Sequence, residues 1–174
     1  MNDVMQVVEE LEPIQNNLIA KGFFDLEIVN PDGTIAGKAE RVPNLVTRHG
    51  FQHICLLVGT NLTGTQFSHL NVGEGAAPAT NATSLPSEVI GVADPAPTRQ
   101  VATAATQAGS VTLRFTGTMS SANSFVTATE NISNVGIFNH SSGSSCVAGA
   151  AFTSSSCATN QNINITYDLV FETA

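Results

Sequence analysis

The sequence predicts a mainly β fold: a single antiparallel β-sandwich, Greek-key or jelly-roll-like in its connections, with one packed helix and an extended N-terminal arm. Three observations lead there. The final stretch NINITYDLVFETA alternates strictly, with Ile163, Ile165, Tyr167, Leu169 and Phe171 on one face and Asn164, Thr166, Asp168 and Val170 on the other. That period of two is the mark of a half-buried antiparallel strand. Turn-forming residues also recur about every ten positions and bound roughly six to nine short runs, the spacing of a sandwich. Finally, only 11% of residues are charged, Trp is absent, and long tracts consist of Ala, Ser, Thr, Asn and Gly, a composition of strands and turns.

With 174 residues the chain is sized for one domain plus an arm. Residues 1–12 place Val4, Val7, Val8 and Leu11 at i, i+3, i+4 and i+7, opposite Asp3, Glu9, Glu10 and Glu12, the pattern of a short amphipathic helix. Such a helix is marginal alone and needs a surface to lie on. Pro13 ends it, and IQNNLIAKG reads as a linker. Residues 1–21 therefore form the expected arm, with Val4, Val7, Val8, Leu11, Ile14 and Leu18 as its candidate partner-binding residues, and residues 22–174 form the sandwich domain.

Within that domain FFDLEIV, NPDGT and IAGKAERV read as a hairpin over 23–42, in which Pro31 presets φ and Gly33 accepts a positive φ. PNLVTRHGFQHICLLVG reads as a buried helix over about 47–58, with Thr47 as N-cap, Gly59 as stop, and Phe51, Ile54, Cys55, Leu57 and Val58 as its core face. FSHLNVG is a short strand running into the surface loop EGAAPATNATSLPSE. VTLRFTGTM places Val111, Leu113, Phe115 and Gly117 on one face. FVTATENISNVGIFN supplies one or two strands, SCVAGAAFTS a further one, and NINITYDLVFETA the last.

A net charge of −8, with only six basic residues, argues against direct contact with nucleic acid, which needs clustered Lys and Arg. The N-terminus carries acids where a secretion signal needs bases, so none is expected, and no segment approaches the ~20 apolar residues of a membrane span. Of three cysteines, Cys55 reads as a small buried hydrophobe. Cys146 and Cys157 flank VAGAAFTSSS and are the candidate disulfide, facing each other across a hairpin.

Chemistry is hard to find. His49 and His53 stand four apart, as in the zinc motif H-E-x-x-H, but GFQ lies between them without the general-base Glu, and Cys55 belongs to another part of the helix surface. NVGEGAAP holds G-x-G after a strand, but Ala and Pro follow where a nucleotide site has a helix. Glu74 and Glu88 read as solvated loop acids. No catalytic residue, cofactor site or metal site is expected, and the chain reads as a non-enzyme.

The order of motifs carries more. FFDLEIVNPDGTIAGKAERVPNLVTRHGFQHICLLVG, FSHLNVGEGAAPATNATSLPSEV, TATENISNVGIFN and NINITYDLVFETA succeed one another over residues 23–172. In this order they resemble a broad group of virion structural proteins of tailed bacteriophages, in which an Asn-Leu-Val-Thr helix start, an NVGEGAAPAT-like segment, an ISNVGIF-like strand and a final ITYDLVF-like strand recur. The resemblance implies a virion protein of the capsid cement (decoration) or tail accessory type, a β-sandwich that assembles as an oligomer and lacks catalytic residues. Compactness, Phe as main aromatic and the N-terminal arm favour cement over fibre. The expectation is a protein on the outer capsid surface, made in the bacterial host's cytoplasm, expected as a homotrimer, with the phage's major capsid protein as partner. A tail, adaptor or short-fibre component is the alternative. A surface carbohydrate-binding module is a further one, which the single Tyr167 and absent Trp disfavour.

Overall fold

The structure, a computed structural model, describes residues 18–59, 66–89, 99–105, 110–143 and 145–173. Two five-stranded antiparallel sheets pack face to face. One holds β1 (Leu18–Val29), β2 (Ile35–Pro43), β6 (Thr103–Ala105), β7 (Thr112–Met119) and β10 (Asn162–Thr173), in the order β2-β1-β10-β7-β6. The other holds β3 (Leu45–Val46), β4 (His69–Gly73), β5 (Gln100–Val101), β8 (Glu130–Phe138) and β9 (Cys146–Cys157), in the order β3-β9-β8-β4-β5. At both flanks the chain switches sheets within a few residues, from β2 to β3 through Asn44 and from β5 to β6 through Ala102. These corners close the sandwich sideways.

The alternation in β10 is realised as read: Ile163, Ile165, Tyr167 and Leu169 are buried. They meet Phe24, Leu26 and Ile28 of β1 and Phe115 and Met119 of β7 in one core. Tyr167 sits at the centre of an aromatic row, 4.6 Å from the Phe24 ring and 6.2 Å from Phe115, and Asn44 Nδ2 donates to its hydroxyl at 3.3 Å. It therefore presents no ring to a sugar.

The hairpin turn forms by the expected chemistry. Gly33 has φ +85°, Gly33 N donates to Asn30 O at 2.9 Å, and Asp32 Oδ1 accepts from both N and Oγ1 of Thr34. Between Phe24 and Leu26 the β1–β2 register shifts, and Arg41 takes φ +48° in the resulting bulge. Its amide donates to Asp25 Oδ1 at 2.6 Å while its guanidinium lies over the Phe23 ring. The bulge, Lys38 and Pro43 make the outer edge of β2 a poor template for strand addition.

Three expectations need correction. The linker reading of residues 18–21 fails, because Leu18 to Lys21 pair with Thr173 to Val170 of β10; the sheet begins at Leu18, and the composition of IQNNLIAKG hid a strand whose partner lies at the other end of the chain. Leu18 thus belongs to the sandwich, whereas Val4, Val7, Val8, Leu11 and Ile14 lie outside the described residues.

The hairpin disulfide is also corrected. VAGAAFTSSS is the interior of one continuous strand, β9, with Cys146 and Cys157 at its two ends and both thiols free. Eleven residues of extended chain span roughly 36 Å, against the ~6 Å between Cα atoms that a disulfide allows.

The third correction concerns the helix, α1 (Arg48–Gly59). Its N-cap is as read: Thr47 Oγ1 accepts from Gly50 N at 3.1 Å. Of its expected core face only Ile54 packs against the core, and the side chain of Val58 lies outside the described residues. Phe51, Leu56, Leu57 and Cys55 are exposed, and Ile54 is only partly buried. The helix is held at its first turn instead, where Thr47 N donates to Val147 O at 2.9 Å and Thr47 Oγ1 lies 2.6 Å from Cys146 O.

Candidate interaction surface

Concavities of the described surface differ in chemistry. The first is an apolar groove of about 440 Å³ at the end of the sandwich where β10 and β7 leave the core. Leu113, Phe115, Leu169 and Phe171 form its floor, Ala104 of β6 one end, and Ile54 and Leu57 of α1 overhang it. Leu57 is 41% exposed, and Phe51, in the first turn of the helix and outside the groove, 51%. An apolar concavity of this kind on a chain otherwise so polar is a candidate interaction surface. The groove also lies where the chain enters the fold, since Ala20 pairs with Phe171 and Leu18 with Thr173.

The second concavity is polar and lies on the outward face of the first sheet, lined by Arg41, Ser110, Thr112, Arg114, Asp168 and Val170. Asp168 is only 3% exposed although it points outward, because Arg114 covers it with a two-pronged clamp, Nε to Oδ1 and Nη2 to Oδ2, each 2.7 Å. Arg41 stands 3.9 Å from Oδ2. The Asp168 carboxylate holds Arg114 above its ordinary pKa, through the hydrogen bond first and charge second. The cluster satisfies itself and fixes β7 to β10.

The third surrounds Glu74, Glu88 and Glu130. Glu74 and Glu88, read from sequence as unrelated loop acids, line the same hollow because Gly73 bridges to Glu88. They have separate partners. Glu74 faces Glu130, whose pKa is raised foremost by the hydrogen bond between the two carboxyls, and accepts from Asn131 N at 2.6 Å. Glu88 is bound to Arg99 and Asn71.

Arg99 is the residue that sequence reasoning passed over. It is 3% exposed, and all five of its N–H groups find acceptors: Nε and Nη2 on Glu88, Nη1 on His140 O and Gly143 O, Nη2 also on Thr83 O. Its plane lies 3.5 Å over the Phe138 ring. Together with Asn134, whose Nδ2 donates to Ala76 O and Pro86 O, it ties the loop after β4 onto the outer face of β8. Ser133 Oγ accepts from Gly75 N at 2.6 Å, and Pro78 packs against Gly149 of β9. The segments NVGEGAAP and ISNVGIF, which stood apart in the sequence, are thus one structural unit: a lid over part of the outer face of the second sheet, whose inner face the core buries.

Among the described residues no three His, Cys, Asp or Glu side chains converge on a metal-sized site. His53 is partly buried, and burial foremost, then the charge of His49, lowers its pKa; Cys55 beside them is exposed. No helix among the described residues is long and apolar enough to cross a membrane. Known protein families, curated proteins and solved structures offer no match to the chain.

Two predictions arise here. Burial pushes the Cys146 thiol up to about 12 and the Cys157 thiol to about 11, so neither forms the reactive thiolate near neutral pH. Iodoacetamide added to the native protein should therefore modify Cys55 alone, and all three only after denaturation, as read by mass spectrometry of peptides. Rapid modification of Cys146 in the native state would contradict the lid over β9, and of Cys157 its place in the core.

The second concerns acid. His69 has its pKa lowered from 6.5, by burial first and then by His140 and Arg99, and His53 is shifted the same way. The unfolded chain then binds protons that the native chain refuses, so stability is fully present above the ordinary value near 6.5 and falls as pH drops through the lowered native values. Thermal midpoints measured between about pH 7 and pH 5 should decline with acidification, and His69→Gln should make the decline shallower. A flat profile in the native chain would refute the assignment.

Proposed function

We propose that the chain is a non-enzymatic structural protein of a tailed-phage particle: a cement or decoration protein that binds the outer shell as a homo-oligomer, with a trimer as the expected form, and stabilises it. The major capsid protein and further copies of the chain are its partners. The observation that carries this reading is the apolar groove between α1 and the first sheet, open beside the point where the N-terminal segment enters β1. Each half of that pair needs apolar cover, and contact with neighbours provides it. The ordered succession of phage-like motifs supplies the kind of particle. Contacts that are individually weak become firm when many copies engage one shell at once.

The test is a shell-binding assay with purified empty capsids, comparing the full chain with one truncated at residue 12, a cut that leaves β1 intact. Expected are binding by the full chain, at least a tenfold loss on truncation, and a copy number per particle in the hundreds. Undiminished binding by the truncated chain would remove the arm from the mechanism. A handful of copies per particle would favour a tail, adaptor or short-fibre location.

A further inference from the structure

The polar hollow on the outward face of the first sheet holds more hydrogen-bond donors than its own acid can use. We propose that it is a docking site for an acidic segment of a partner polypeptide, whose carboxylate is gripped between Arg41 and Arg114. This surface is distinct from the apolar groove, and the proposal does not depend on the phage reading.

What is satisfied in the cluster around Asp168 is the carboxylate. Arg114 gives it Nε–H and one Nη2–H, and because a guanidinium carries five N–H groups, Nη1 and the second Nη2–H are left over. Arg41 Nη1 stands 3.9 Å from Asp168 Oδ2, beyond hydrogen-bond reach. Asp25, the next acid on this face, has Oδ1 on the backbone amide of Arg41. Both guanidinium groups line one hollow of about 620 Å³, together with Thr112 and Val170. An incoming carboxylate therefore meets unused donors of both arginines.

Both arginines are held in place before a partner arrives. The two-pronged contact with buried Asp168 fixes the plane of Arg114. Arg41 lies over the Phe23 ring at 4.2 Å and stands in the β1–β2 bulge at φ +48°. A left-handed backbone is costly for a residue with a Cβ and is usually left to Gly or Asn, and a bulge re-aims a side chain. Arginine at this position turns a planar fork toward the hollow, which Gly could not do. Forks set in advance lose little freedom when they bind a planar carboxylate.

The class of ligand follows from the surroundings. More than half of each arginine side chain is exposed, so a small free anion would be held only as weakly as in an exposed ion pair. A carboxylate carried on a polypeptide brings neighbouring atoms that exclude water from both forks, which is how arginine becomes an anchor of protein interfaces. The hollow is larger than one carboxylate and has room for the residues that flank it. An acidic sugar would need an aromatic face to stack on. Among the described residues no ring lines the hollow, and Phe23 beside it is already covered by Arg41.

The chain has four arginines, Arg41, Arg48, Arg99 and Arg114, so the Nε–H region of a proton–nitrogen correlation spectrum of the full chain holds four signals, assignable by substitution. The probe is a blocked peptide with two adjacent glutamates between glycines, and its control is the same peptide with glutamines. The glutamate peptide is expected to shift Arg41 and Arg114 together and saturably, leaving exposed Arg48 and buried Arg99 in place. The glutamine peptide should move none of them. Arg41→Gln should weaken binding roughly tenfold, the worth of a hydrogen bond to a charged group, and Arg41→Lys should not restore it. Circular dichroism matching the parent shows that both variants are folded, and Arg48→Gln should bind as the parent does.

No shift with the glutamate peptide would overturn the proposal, as would unchanged affinity of Arg41→Gln. Arg48 moving in step with Arg41 would show charge attraction without a site. Acetate or trigalacturonate producing the same shifts at the same carboxylate concentration would show a free-anion or acidic-sugar site and overturn the assignment to a polypeptide. None of these outcomes bears on shell binding after truncation at residue 12, so the two readings fail separately.

Discussion

Arg99→Ala is expected to lower the unfolding free energy by about 3–5 kcal/mol, the cost of breaking a buried ion pair by removing one partner. For a domain of this size that is a fall in thermal midpoint of roughly 6–20 °C. The side chains of Arg99 and Glu88 are 3% and 11% exposed. Removing the guanidinium strands the Glu88 carboxylate beside Asn71 Nδ2 and Leu85 N, and leaves His140 O, Gly143 O and Thr83 O without their donor. Arg99→Lys should recover little, because a single ammonium cannot reproduce the planar fork or the contact over Phe138. Arg99→Met combined with Glu88→Gln should cost less than the sum of the two single changes, since the second removes the charge that the first leaves unpaired. Urea unfolding of the four proteins checks this. A loss below about 1 kcal/mol for Arg99→Ala, the range of exposed pairs, would show that the site is open to water.

That residue also shows where sequence reasoning stops. Periodicity finds an element when one face meets water and the other meets apolar neighbours, and β10 and the β1–β2 hairpin satisfy this condition. In β8 the condition fails. From Asn134 to Phe138 every residue is buried, because the loop from Glu74 to Glu88 covers the outer face, and burial on both faces erases alternation. The first five residues of β9, Cys146 to Ala150, are buried for the same reason, and with Ala and Gly as their main side chains they offered no contrast from which a long strand could be read. The lid depends on Arg99, Asn134 and Ser133, polar residues whose partners lie 11 to 58 positions away. No local pattern joins them. The helix fails in the opposite sense: its apolar residues were correctly placed on α1, but hydrophobicity does not say whether a face is turned to the core or left for a partner, and here Phe51, Leu56 and Leu57 are left exposed. The groove could be assembled only once Leu113, Leu169 and Ile54 had been brought together from three elements.

Gly50→Ala should destabilise the protein by about 2 kcal/mol, although helix propensity alone predicts a gain of about 1 kcal/mol for Ala in place of Gly. Gly50 occupies the third position of α1, where the helix presses on β9. A Cβ built there lies 2.2 Å from Val147 O and 3.0 Å from Val46 Cγ1. The first is a backbone atom that already accepts from Thr47 N at 2.9 Å, so it cannot swing aside as a side chain would. Overpacking of this kind costs typically 1–3 kcal/mol and occasionally more, and lifting the helix also stretches the bonds from Thr47 Oγ1 to Cys146 O and from Thr47 N to Val147 O, each worth about 1 kcal/mol. The sum outweighs the propensity term. The effect should also reach the groove, because Ile54 and Leu57 ride on the same helix. Arg48→Ala, at an exposed position six residues before Ile54, should leave stability within about 0.5 kcal/mol of the parent and separates a general weakening of α1 from the contact at Gly50. A stabilised Gly50→Ala protein would mean that α1 does not rest on β9 through this glycine, and the groove would then lose the wall that defines it.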